Sequence, residues 1–159
     1  MARLLKHTNT RRAPKKNHQN NDEALGRSRG GLSSKIHCIV NGLGNPVDFI
    51  LTGGEVHDNT CANDLLEDKK ANFVIADKAY DSNQTLELIA KMGATAVIPP
   101  KSNRKEQRLY NKEFYKDRNL IERFFCKLKQ FRGIATRYCK RGKYFLEAVK
   151  LAASIILMR

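Results

Sequence analysis

Four residues in the last third of the chain have types and spacings that could support chemistry. Tyr115, Arg118, Glu122 and Lys129 are separated by three, four and seven residues. On a regular helix these offsets fall within an arc of about 60°, along one edge of an apolar face. A carboxylate at such an edge lies at the rim of the core, where burial is partial and the group could carry chemistry. The apolar face comprises Leu120, Ile121, Phe124, Phe125, Leu128 and Phe131.

The same spacing has a simpler interpretation. Residues 111–132 contain no Pro or Gly, so the pattern predicts a helix through this region. Charged residues on a solvated helix face commonly pair, and a pair such as Arg118 with Glu122 contributes only about 0.2–0.5 kcal/mol. Spacing alone leaves both interpretations open.

Five segments together resemble bacterial insertion-sequence transposases of the DDE class. The first is the Tyr115–Arg118–Glu122–Lys129 pattern, which resembles the family's signature around its last acidic residue. The other four are GRSRGGLSSKIH (residues 26–37), ADKAYDS (residues 76–82), AVIPPKSNRK (residues 96–105) and ERFFCKLKQFRGIATRY (residues 122–138). The resemblance covers residue 26 to the C-terminus and implies DNA cleavage and strand transfer.

The resemblance assigns Asp77 and Glu122 as catalytic residues and as the second and third metal ligands. The complete family fold is expected to hold two Mg²⁺ or Mn²⁺ ions, which prefer carboxylate and water oxygens. Asp77 also follows the buried strand predicted over residues 72–76, at an edge where ligand crevices open in α/β sheets. The alternative is a carboxylate that caps a turn or helix, as Asp81 nearby could do.

The first aspartate of the family is not found. It belongs to a strand in the middle of the sheet, which by position falls near residues 1–10, a segment without Asp or Glu. Asp22 follows no strand pattern, Asp48 lies within a predicted strand, and Asp58 is not the first ligand of the family. We therefore expect this strand to be missing or replaced, with residues 3–8 as one hypothetical replacement. An upstream transposase product could supply the missing strand and its aspartate. If nothing fills the place, two sheet edges stay unpaired, so a homo-oligomer is the other expected partner.

The chain carries a large positive charge. Thirty Lys and Arg against sixteen Asp and Glu give a formal net charge of +14, which predicts attraction to nucleic acid. The expected partner is DNA, both transposon ends and target. Arg118 and Lys129 would position Glu122 and contact the DNA backbone, and Tyr115 would stack on a base, bond a phosphate, or cap the core. The further phosphate candidates are Arg27, Arg29, Lys101, Arg104, Lys105, Arg132, Arg137, Lys140 and Arg141; His57 and Asp58 are possible accessory residues.

The predicted elements give an α/β fold, and by resemblance a ribonuclease-H-like mixed sheet flanked by helices. Residues 1–25 are expected to form a basic, flexible arm, and residues 26–159 a partial catalytic domain. A hairpin is predicted from residues 35–41 and 47–52, strands from 72–76 and 95–98, and helices from 59–68, 83–92 and 143–158.

Cellular location is predicted from what the chain contains. Four scattered cysteines favour a reducing cytosol, and the most apolar segment, residues 151–158, is too short to span a membrane. We therefore expect a bacterial cytoplasmic, nucleoid-associated protein. The first functional hypothesis is part of an insertion-sequence transposase. The second is a truncation product that binds DNA or a full-length partner without cutting, and a third is an unrelated nuclease.

Overall fold

A computed structural model of the chain describes residues 2–12, 23–28 and 31–158. The described residues form one seven-stranded mixed sheet with helices on both faces. In chain order the elements are β1 (Ala2–Arg12), β2 (Gly26–Ser28), β3 (Gly31–Asn41), β4 (Pro46–Gly53), α1 (Ala62–Leu66), β5 (Phe73–Ala76), α2 (Asn83–Lys91), β6 (Thr95–Val97), α3 (Lys112–Lys116), α4 (Asn119–Leu128), α5 (Arg132–Ala135), β7 (Thr136–Arg137) and α6 (Gly142–Leu157).

The strand β1 lies in the middle of the sheet. It pairs antiparallel with β3, from Arg3 opposite Asn41 to Arg11 opposite Ser33. On its other side it pairs parallel with β5 over residues 2–5, and β6 continues the parallel part beyond β5. Beyond β3 lie β4 and the short β2, both antiparallel to it. The two-residue β7 pairs with the end of β1.

This central strand corrects one expectation and bears on another. Residues 2–12, which the sequence analysis assigned to a flexible arm, form β1 instead. The place of the strand expected to be missing or replaced holds β1, in agreement with the hypothesis that residues 3–8 fill it. The strand is difficult to recognise from the sequence because the second half of β1 is polar. Thr8 and Thr10 are nevertheless buried, since neighbouring strands satisfy the backbone and helices cover the sheet. The rest of the predicted arm lies mainly outside the described residues.

Two apolar clusters, one on each face, hold the layers together. Along β3, Ile36, Cys38 and Val40 face α4, α5 and α6, whereas Ile39 faces α1 and α2. Because helices cover both faces, residues 33–40 are continuously buried rather than alternately buried and exposed. Of the described helices, none has the length and apolar character needed to cross a bilayer.

Local signals explain α2, whose predicted bounds are close to the observed ones. The Ser82 hydroxyl accepts a hydrogen bond from the Thr85 amide at 3.2 Å and caps the first turn. Gly93, at φ +70°, ends the helix in the left-handed conformation that glycine adopts without strain. The predicted hairpin, buried strands and final helix also appear, with bounds shifted by a few residues.

The helix predicted through residues 111–132 is divided into α3, α4 and the start of α5. At the first junction the amides of Asp117 and Arg118 bond to carbonyls three residues earlier, and the amide of Leu120 bonds to the carbonyl of Asp117. These bonds tighten the chain relative to an α-helix. The 60° arc calculated for a regular helix therefore does not hold from Tyr115 to Lys129, although the Arg118–Glu122 pair remains.

Candidate active site

Glu122 projects from α4 toward the central strand, where it meets a lysine. Lys6 Nζ on β1 donates a hydrogen bond to Glu122 Oε1 at 2.7 Å. The same oxygen is 2.8 Å from Nη2 of Arg118, so it binds two cations. The side chains of Lys6, Arg118 and Glu122 are 25%, 27% and 39% exposed, which places the group at the rim of the core and open to solvent.

Asp77 lies beside this group because of the strand register. The parallel ladder between β1 and β5 ends at Leu5 opposite Ala76, so Lys6 and Asp77 are the next residues on adjacent strands. The two strands separate after this point. Within the described residues, the next strand that pairs with this edge of β1 is β7, starting at Arg11. Ligand crevices in α/β sheets typically open where neighbouring strands diverge at their carboxyl ends, and we use the word crevice for this place between the ends of β1 and β5.

Tyr115 is electrostatically coupled to both predicted catalytic carboxylates. Burial raises the pKa of Tyr115, the charge of Arg118 lowers it, and the charges of Asp77 and Glu122 raise it further. The Arg118 guanidinium lies 5.4 Å from the centre of the Tyr115 ring, and the ring also packs edge-on against Tyr110. Tyr115 therefore packs at the rim of the core, within range of both acidic residues.

The protonation behaviour of Glu122 follows from its partners. The hydrogen bond from Lys6 is the largest influence and lowers the pKa of Glu122. Partial burial acts in the opposite direction, and the charge of Arg118 lowers the pKa again. The carboxylate therefore remains ionised at neutral pH, as an anion between two cations.

Asp77 has a structural role in addition to its position in the crevice. Its Oδ1 accepts a hydrogen bond from the Ala79 amide at 2.7 Å and caps the 3₁₀ turn Lys78–Tyr80. The capping role considered in the sequence analysis is therefore present. One carboxylate oxygen engaged in this way leaves the other oxygen of Asp77 for a further contact.

Sequence reasoning did not assign a role to Lys6. It lies in the segment interpreted as an arm, 116 residues from Glu122, and no local pattern connects the two. A signal was available, however: the resemblance placed the first strand near residues 1–10, and Lys6 is the residue that this strand presents to the predicted acidic residue on α4.

The predicted DNA-contacting residues fall into three groups. Arg27, Lys105, Lys129 and Arg132 are exposed, and Lys101 is half-buried. Arg104 is half-buried and occupied internally: its Nε donates to Asp81 Oδ2 at 2.7 Å and its Nη1 to Asn83. Arg29 lies outside the described residues.

Asp81 is a buried anchor for the basic loop that follows β6. Its side chain is 0% exposed and receives hydrogen bonds from Arg104, from the Lys101 amide at 2.8 Å and from Arg108. Burial alone would raise the pKa of Asp81, but these hydrogen bonds hold it below its usual value. Sequence analysis mentioned Asp81 only as a possible capping residue and did not identify Arg108.

Arg137, suggested as a phosphate contact, is wrong for that role because it is 0% exposed. Its guanidinium donates to the carbonyls of Ala24, Cys139 and Lys140, and it stacks at 5.0 Å on the Phe145 ring. It therefore connects the segment before β2 with α6. Sequence reasoning could not distinguish this arginine from the exposed ones around it.

The two accessory candidates behave differently. His57 is exposed and precedes the 3₁₀ turn Asp58–Cys61. Asp58 pairs with Lys35 at 2.9 Å in a largely buried contact. Burial raises the pKa of Tyr80 and the charges of Asp58 and Asp77 raise it further, so both carboxylates are within range of the same phenol.

These residues do not fit the two-metal site that the resemblance implies. Among the described residues, no three or more His, Cys, Asp or Glu are grouped to hold a metal ion. Glu122 Oε1 already binds two cations, and a cation occupies the β1 position next to Asp77. Hard divalent ions need several oxygen ligands and are repelled by an adjacent ammonium.

Two comparisons with known proteins bear on the family. A model of the family described as "Transposase DDE domain" matches residues 4–157. The chain is also 36% identical, over 130 residues, to the "Putative transposase for insertion sequence element IS6501" of Brucella ovis; the match covers 80% of this chain and 100% of the relative. The family match begins within β1 and includes every element that builds the crevice. The chain therefore belongs to the family of DDE-domain transposases of insertion sequences.

Proposed function

We propose that this chain acts on DNA in the transposition of an insertion sequence, with the crevice between β1 and β5 as its reaction site. Family membership supports DNA as the partner, and the formal net charge of +14 supports a large electrostatic contribution to binding. The ribonuclease-H-like description of the sheet belongs to this proposal; the central β1 with β5 and β6 parallel to it on one side is compatible with it.

The observation that carries the proposal is the meeting of distant residues at one place. Asp77 from the end of β5 and Glu122 from α4 are both electrostatically coupled to Tyr115, and Lys6 lies beside one and bonds to the other. We assign Asp77 and Glu122 as the acidic residues of the site. Arg118 holds Glu122 in place through a direct ion pair.

Basic residues that are exposed or half-buried supply the DNA contacts in this proposal. The exposed Arg27, Lys105, Lys129 and Arg132 and the half-buried Lys101 would contact phosphates, and Tyr115 would contact the DNA near the reaction site. Arg104 is assigned a different role, since its guanidinium is held by Asp81 and Asn83. Such phosphate contacts release counterions and make affinity strongly dependent on salt.

The family uses divalent metal ions in general, and Mg²⁺ or Mn²⁺ is the ion that we propose for the complete family fold. Such an ion would supply charge stabilisation at the phosphate and activate the attacking oxygen. The residues present in this chain do not fit such an ion. The chain's own residues bind and orient the DNA around Asp77 and Glu122.

The proposal is tested by DNA binding measured as fluorescence anisotropy over a series of salt concentrations. The expected result is saturable binding to a duplex carrying the element's end, with log affinity falling linearly as log salt rises. An unrelated duplex of the same length serves as the control and should bind more weakly. Absence of binding at low salt, or affinity that does not change with salt, would contradict the proposal.

A further inference from the structure

The crevice contains a cation where a carboxylate site would need another acidic residue. Lys6 is the first residue of β1 beyond the ladder with β5, directly beside the position of Asp77. Its ammonium group is 2.7 Å from Glu122 Oε1. It thus lies on the strand between the two acidic residues and bonds directly to one of them.

The charges of the crevice are balanced without any added ion. Asp77 and Glu122 contribute two negative charges, and Lys6 and Arg118 contribute two positive charges. Both cations bond to the same oxygen of Glu122, at 2.7 and 2.8 Å. A divalent ion at Glu122 would have to displace at least one of them and would meet the ammonium of Lys6 at close range.

We infer that Lys6 is a built-in cation that closes the carboxylate site of this chain to divalent metal ions. The ammonium occupies space and charge that a metal ion would need, and the lysine replaces an oxygen ligand with a group that cannot coordinate. The inference deepens the proposed function, on which it rests, by stating what the site accepts.

Three substitutions separate the two effects of Lys6. Lys6→Met removes the charge but keeps an unbranched side chain of similar length. Lys6→Asp removes the charge and adds a carboxylate beside Asp77. Lys6→Asp combined with Glu122→Gln removes the second acidic ligand again. Lys116→Met is the matched control, because Lys116 pairs with Glu113 at 2.8 Å on an exposed surface and carries the same charge.

The measurement is Mn²⁺ binding to the full chain, followed by the loss of the free-ion electron paramagnetic resonance signal. We expect affinity to rise about tenfold in Lys6→Met and about a hundredfold or more in Lys6→Asp, as repulsion is removed and then an oxygen ligand is added. The double variant should fall back to about the affinity of Lys6→Met, because each then has two carboxylates and no lysine at the site. Lys116→Met should change affinity less than about twofold, since Lys116 pairs with Glu113 on an exposed surface, where charges are screened by solvent and salt.

Thermal unfolding with and without Mn²⁺ gives a second readout. Binding to the folded state raises Tm, so Mn²⁺ should stabilise Lys6→Asp more than the wild-type chain. If Lys6→Asp does not fold, Lys6→Met alone decides the matter. The inference is overturned if the wild-type chain binds Mn²⁺ as tightly as the Lys6 variants in a manner abolished by Glu122→Gln. It is also overturned if neither Lys6 variant binds more tightly than wild type.

This titration contains no DNA, so its outcome is independent of the DNA-binding test. If the chain fails to bind DNA but gains Mn²⁺ affinity on Lys6→Asp, the proposed function is contradicted and the inference that Lys6 excludes metal ions is supported. If the chain binds DNA with the expected salt dependence but the Lys6 variants do not change Mn²⁺ affinity, the proposed function is supported and the inference about Lys6 is overturned.

Discussion

Asp81 and Glu122 are both carboxylates held by two cationic side chains, yet their surroundings differ. Asp81 is 0% exposed and also accepts a hydrogen bond from a backbone amide, whereas Glu122 is 39% exposed and is bonded by the side chains of Lys6 and Arg118. Because Asp81 is buried and accepts a hydrogen bond from a backbone amide, it fixes the position of the loop after β6. Glu122 lies at the rim of the core and bonds to the side chains of Lys6 and Arg118. The comparison shows that equal charge pairing can serve structure in one place and a reaction site in another.

The largest effect is expected from Asp81→Asn. This change leaves Arg104 and Arg108 without their carboxylate and weakens the bond to the Lys101 amide. Removing one member of a buried pair typically costs about 3–5 kcal/mol, and the partial exposure of the arginines reduces this to about 3 kcal/mol. Urea unfolding measures the loss. Glu87→Gln, a change of an exposed carboxylate on α2, is the control. An equal loss of stability in Asp81→Asn and Glu87→Gln would contradict the structural role assigned to Asp81.

Lowering the pH should also reveal the contribution of Asp81 to stability, with a smaller effect than the substitution. Hydrogen bonds outweigh burial and hold the folded-state pKa of Asp81 below its unfolded value. Its stabilisation is therefore complete above about pH 4, near the unfolded pKa, and is lost as pH falls through the folded pKa. Unfolding free energies measured between pH 6 and pH 3 should fall less steeply in Asp81→Asn than in wild type. A parallel decline in both proteins would show that Asp81 does not titrate in this way.

Glu122→Gln should change stability by about 1 kcal/mol or less, because pairs exposed to this extent contribute little. The amide oxygen can still accept one hydrogen bond from Lys6 or Arg118. Urea unfolding of Glu122→Gln and Asp81→Asn gives the comparison. A loss of unfolding free energy as large as that of Asp81→Asn would show that Glu122 also stabilises the fold.

A last pair of variants distinguishes two neighbours in the basic loop, one expected to affect DNA binding and the other stability. Lys105→Ala should reduce the slope of log affinity against log salt by about one, because an exposed phosphate contact is lost. Arg104→Ala should instead lower stability by about 1–2 kcal/mol, since it breaks a charged hydrogen bond to Asp81. DNA binding at several salt concentrations and urea unfolding of both variants provide the comparison. Identical behaviour of the two variants would contradict the separation of roles.

Local sequence signals were sufficient for the hairpin, α2 and the buried strand that leads to Asp77. Ser82 and Gly93 mark the ends of α2 by capping chemistry that depends on a few adjacent residues. The Arg118–Glu122 contact likewise follows from helical spacing. Features that depend on neighbouring residues in the sequence were therefore predictable.

The remaining features depend on contacts between distant segments. The strand β1 has few apolar residues in its later half, and its identity as the central strand comes from pairing with β3 and β5. Lys6 meets Glu122 across 116 residues, so neither its position nor its role follows from spacing. Burial likewise separates Arg137 and Arg104 from the exposed cations, and composition alone cannot make that distinction.

One residue on α4 has a practical consequence for studying the crevice. Cys126 is exposed and lies one helical turn after Glu122, on the same side of the helix. Cys38 and Cys61 are buried, and burial raises the pKa of both thiols, which suppresses the reactive thiolate. A maleimide fluorophore or nitroxide attached at Cys126, with half-buried Cys139 replaced by serine, would report on the neighbourhood of Glu122 without any engineered attachment point.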